Sequence, residues 1–96
     1  MSEISRLAEL RKLLLEMEHT MGLQDLSSVE RDVFYAATDL AAPATPVKST
    51  SLQSHALLSS VSRPTFFRAL KSLVGKGYLT HCHPPVRGQY HVSHPK

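Results

Sequence analysis

The 96-residue sequence predicts a mostly α-helical domain of three to four helices with a small β-wing. Three observations lead there. Apolar residues recur at helical spacing within 2–19, 27–40 and 62–76. After Gly77 the period shortens to that of strands, in Tyr78–Cys82 and Gln89–Val92. Serine, proline and glycine stand where helices would start and stop. The hydrophobic fraction, 42%, suffices for one modest core, and a separate catalytic domain would not fit. No apolar run approaches a bilayer-crossing length, and no secretory signal pattern opens the chain. The lone Cys82 cannot form an internal disulfide, which fits a reducing, cytoplasmic location.

Residues 1–22 form the first expected unit, an amphipathic helix over 2–19 with Ser2 as its cap. Leu7, Leu10, Leu14, Met17 and Met21 repeat in a heptad-like stripe that Ile4 and Leu13 widen. A stripe that broad can cover its own domain on one side and a second subunit on the other. Ile4, Leu7, Leu10, Leu14, Met17 and Met21 are therefore the candidate homodimerisation residues. Gly22 ends this helix, and residues 23–96 make the second unit. Ser27 and Glu30 have capping-box spacing and open a helix running to about Leu40. It is expected to bury Val29, Val33, Ala36, Ala37 and Leu40, with Phe34 and Tyr35 on the flanks. Residues 41–46 form a proline-containing connector, and Val47–Lys48 is a candidate edge strand.

The next stretch reads as a short helix, a polar turn and a second helix, spanning about 50–76. Thr50 or Ser51 caps the first, with Leu52, Ala56 and Leu57 or Leu58 inward. Ser59, Ser60, Val61 and Ser62 form the break, and Ser62 caps the second helix with Pro64 in its first turn. Phe66, Ala69, Leu70 and Leu73 make the buried stripe, while Pro64, Arg68 and Lys71 point away from it. Gly75–Lys76–Gly77 ends the helix with residues that accept left-handed geometry. The wing spans about 78–92, with a proline- and glycine-containing loop over 83–88 and Arg87 near its tip.

Charge divides along the chain. Residues 1–47 carry four Lys/Arg and eight Asp/Glu, a net of −4, whereas residues 48–96 carry seven Lys/Arg and no carboxylate, a net of +7. Such asymmetry is the footprint of a polyanion-binding surface. Ser62 and Thr65 can donate to phosphates, as can Thr50 from the preceding helix. Arg63, Arg68 and Lys71 supply charge and base contacts. Arg87 can enter a minor groove, and Phe67 can either touch a thymine methyl or pack against the preceding helix. With Pro64 these are the candidate DNA-binding residues. His81, Cys82, His83, His91 and His94 are metal-capable, but their spacing matches no strong zinc signature, so no metal site is assigned. Catalytic residues and cofactors are likewise expected to be absent: there is no glycine-rich phosphate loop, and no nucleophile is set beside a base.

The signature Ala56, Val61–Ser62–Arg63, Thr65, Arg68, Leu70–Lys71, Leu73 and Lys76–Gly77–Tyr78–Leu79 resembles, without a gap, the helix-turn-helix core of winged-helix regulators of the MarR type. The likeness spans about a quarter of the chain. Ser59 and Ser60 replace a common apolar residue and turn glycine, and Phe67 stands where a small or polar residue is usual. The resemblance implies a winged helix-turn-helix that binds duplex DNA sequence-specifically in transcriptional control, as a homodimer. It also implies a recognition helix over 62–76 in the major groove and the wing alongside. Many relatives answer to small ligands but carry C-terminal dimerisation helices that this sequence does not have, so no effector is assigned. Two other readings remain: a winged helix serving as a protein-interaction module, and a metal- or thiol-responsive sensor.

Overall fold

The computed structural model describes residues 2–42, 45–82 and 84–93. It is mostly helical with a small three-stranded antiparallel sheet. Helix α1 (Glu3–Thr20) starts at Ser2, whose hydroxyl accepts from the Ser5 N–H. Helix α2 (Ser28–Leu40) opens with a complete capping box: the Glu30 carboxylate accepts from the Ser27 N–H at 2.7 Å, and the Ser27 hydroxyl accepts from the Glu30 N–H at 3.2 Å. A 3₁₀ turn, Leu23–Asp25, joins the two.

Strand β1 (Val47–Lys48) leads into α3 (Ser49–Gln53), a 3₁₀ turn over Ala56–Leu58, and α4 (Arg63–Lys76). Strands β2 (Leu79–His81) and β3 (Gln89–Val92) follow. The sheet order is β1-β3-β2, with Val47 opposite Tyr90 and Leu79 opposite Val92. The core lies where α2 packs on α4 and both meet the sheet and the α3 region. Val33, Leu52, Phe66, Leu73 and Leu79 are its largest fully buried side chains. Phe34 stands edge-on to Tyr78 at 5.2 Å.

Several expectations are corrected here. Phe34 lies in the core rather than on its flank. Leu40, the last residue of α2, is exposed because the packed layer ends a turn earlier. Val29 is half-buried against the core. Neither Thr50 nor Ser51 caps α3; both lie inside it, and Lys48 holds the cap position without a side-chain bond. The Ser49 N–H instead donates to the Gly88 carbonyl at 2.8 Å, so the β2–β3 hairpin supplies the partner that a capping side chain would. Ala56 and Leu57 are exposed, and Leu58 alone of that turn is buried.

The reason for that shift is local. α3 stops at Gln53, and His55 resets the backbone to extended geometry. Its Nδ1 accepts from the Leu57 N–H at 3.1 Å, which leaves Nε2 to donate to Asp39 at 2.8 Å. The imidazole thus pins the break between the two short helical pieces to the end of α2. At the end of α4, Gly75 is still helical. Gly77 alone takes the left-handed conformation, at φ +86°, and its N–H closes on the last turn.

α1 stands apart. Glu18 is its single buried residue among those described, held by the Tyr35 hydroxyl, which donates to its carboxylate, and by Arg31 at 3.9 Å. Burial, the bond to Glu18 and the Glu18 charge together push the Tyr35 hydroxyl up to about 12. No helix of the described residues is long and apolar enough to cross a membrane.

Candidate nucleic-acid interface

The surface is built on α4, whose sequence fixes both of its faces. Phe66, Ala69, Leu70 and Leu73 are buried as the spacing predicts, and this anchors the helix to α2 and the sheet. Ser62, Arg63, Pro64, Phe67, Arg68 and Lys71 are exposed, and Thr65 is half-buried.

These residues are organised rather than merely solvated. The Ser62 hydroxyl accepts from the Thr65 N–H at 3.4 Å and donates to Thr65 Oγ1 at 2.9 Å. Arg68 Nη2 donates to the same Thr65 oxygen at 3.4 Å, so its guanidinium is steered along the helix. Arg63 lies 5.2 Å over the Phe67 ring, a cation–π contact one turn apart. Phe67 packs edge-on against Phe66, its own neighbour in sequence, at 5.0 Å. Arg63, Phe67 and Lys71 then continue one stripe at four-residue spacing, with Pro64 and Arg68 beside it.

Among the described residues the ion pairs of Lys and Arg are Arg31–Glu18 and Lys76–Glu30, and His55 hydrogen-bonds to Asp39. None uses Arg63, Arg68, Lys71 or Arg87. The Lys76–Glu30 pair joins residues far apart in sequence, and no local pattern announces it. Burial alone would raise the Glu30 carboxyl. Hydrogen bonds from Ser72, the Ser27 N–H and Lys76, with the Lys76 charge, outweigh burial and hold it at about 2. The carboxylate beside Thr65 and Arg68 in the α2–α4 groove is therefore already engaged.

Thr50 and Arg87 form a second group. Both are exposed, and the Ser49–Gly88 bond holds their immediate neighbours together. No hydrogen bond or ring contact among the described residues joins this pair to the α4 group. On the β2–β3 hairpin, His81 is exposed and stacks at a tilt on Tyr90 at 5.4 Å, while Cys82 is buried. His83 and His94, weighed above as metal donors, lie outside the described residues. No group of three or more His, Cys, Asp or Glu among those described can hold a metal ion.

The candidate dimerisation residues Ile4, Leu7, Leu10, Leu14 and Met17 on α1, and Met21 at its C-terminal cap, are all exposed. Comparison with protein-family models, with curated proteins and with solved structures gave no match for the chain.

Proposed function

We propose that the chain is a winged helix-turn-helix protein that binds duplex DNA sequence-specifically in transcriptional control, as a homodimer. In this reading α4 enters the major groove and the 83–88 wing lies at the adjacent one. One observation carries it: α4 is anchored by its apolar face and turns outward a stripe of cations that no carboxylate among the described residues neutralises. Arg68, steered by Thr65, is the candidate for a paired contact with a guanine edge, and Phe67 under Arg63 for a thymine methyl. Lys71, Thr50 and Ser62 serve backbone phosphates, which fix register without reading sequence. Arg87 serves the minor groove.

Fluorescence anisotropy tests this directly, with DNA from upstream of the protein's own gene against random duplex of equal length, at several salt concentrations. Preference for the upstream DNA that weakens with salt is the expected result. Absence of binding even at low salt would overturn the proposal and favour a protein-interaction role for the same face.

A further inference from the structure

α1 exposes more apolar surface than a free helix on a small domain carries. Ile4 is 78% exposed, Leu7 63% and Leu10 55%, and Leu13, Leu14, Leu15, Met17 and Met21 are also exposed. These eight exposed apolar side chains on one helix and its cap exceed the scattered single ones that are normal on a monomer's surface.

The stripe runs past the body. The molecule measures 51 Å along its long axis against 29 and 25 Å across it. An 18-residue helix is about 27 Å long. The carboxyl-terminal half of α1 is fastened through Glu18, while the half bearing Ile4, Leu7 and Leu10 overhangs. Beside the fastened half lies an almost wholly apolar groove of about 180 Å³, formed by Leu14, Met17, Met21, Leu23, Phe34 and Tyr35. One molecule thus carries an apolar projection and an apolar recess at opposite ends of one helix.

Charge selects the orientation of a second α1. Residues 3–12 hold Arg6, Arg11 and Lys12 against Glu3 and Glu9, a net of +1. Residues 13–21 expose Glu16 with no Lys or Arg, a net of −1, because Glu18 is buried against Tyr35 and Arg31. Parallel helices would set like halves together; antiparallel helices set unlike halves together. Either pairing closes on a two-fold axis, so charge and not symmetry makes the choice.

We infer that the occupant of the groove is a second copy of this chain, its α1 antiparallel, so that Ile4, Leu7 and Leu10 of each copy seat in the groove of the other. This rests on the homodimer part of the proposed function and not on DNA binding. The test uses the full chain in a Cys82→Ala background. Sedimentation equilibrium is expected to give a dimer, and a mixture of Leu7→Cys and Met17→Cys proteins to give the mixed disulfide in excess of either self-crosslink. A monomer at all micromolar concentrations, or a dominant 7–7 crosslink, would overturn the inference. The Leu7→Glu/Leu10→Glu protein should be monomeric with an unchanged far-UV spectrum, because neither residue belongs to the core. A retained dimer would count against it. Should that variant misfold, the crosslinking arm, which places no charge on the stripe, still decides. None of these readings involves DNA, so a dimer that ignored DNA would sink the regulatory proposal and leave this one standing.

Discussion

Glu30 accepts from the Ser27 N–H at 2.7 Å and from Lys76 Nζ at 3.2 Å, so one carboxylate joins the start of α2 to the end of α4. Its carboxyl, at about 2 in the fold, binds fewer protons than it does in the unfolded chain. Stability therefore rises with pH through this window: the contribution is complete above pH ~5 and lost as pH falls toward ~2. Its size is on the order of 3 kcal/mol. Glu30→Gln should lower the urea midpoint at pH 7 and flatten the loss of stability between pH 5 and 3, both read from denaturation curves. On the outer face of α4, Arg68→Ala is expected to cost about 1–3 kcal/mol of DNA affinity and to relax base preference at one position. Lys71→Ala should weaken binding to all sequences and reduce the salt slope by about 1. A selection of bound duplexes, followed by anisotropy, separates the two outcomes. The outward residues of α4 were legible because a single helix fixes its own faces. The Lys76–Glu30 pair was not, because it depends on how two distant helices dock.

Elements with strong caps were readable to within a residue. Ser2, Ser27 and Ser62 each accept the bond their positions imply, and α1, α2 and α4 begin where those serines stand. α3 was misread at both ends because its determinants come from elsewhere: Gly88 fills its first donor and Asp39 holds His55 just beyond its last turn. The same bond makes Gly88 a sensitive position. Its φ of +78° is left-handed, and an added Cβ would meet Ser49 Oγ at 3.2 Å. Gly88→Ala should destabilise the protein by about 1–2 kcal/mol. Hydrogen exchange should quicken in α3 as well as in the wing, whereas a purely local effect would leave α3 protected as before.

At the scale of the whole molecule, the charge split seen in the sequence overstates what is available to a polyanion. Of the seven Lys/Arg in residues 48–96, Lys76 is paired with Glu30 and Lys96 lies outside the described residues. Lys48, Arg63, Arg68, Lys71 and Arg87 remain, all exposed. If each releases one counterion, the logarithm of the DNA association constant should fall with the logarithm of salt no more steeply than about −4.5 per protomer. A steeper slope, measured by anisotropy, would mean that other cations take part. The overhang of α1 was legible only as a stripe too wide for its own domain; its projection beyond the body follows from how few side chains of α2 reach it. The bond between Ser49 and Gly88, with β1 paired to β3, also bears on how the chain is made. Ribosomal synthesis delivers Val47 and Ser49 long before Gly88 and Tyr90, so neither β1 nor α3 can find its partner while the hairpin is still being translated. The growing chain can coil α1 and α2 as they emerge, but β1 and α3 gain their partners only once Gly88 and Gln89–Val92 have been made.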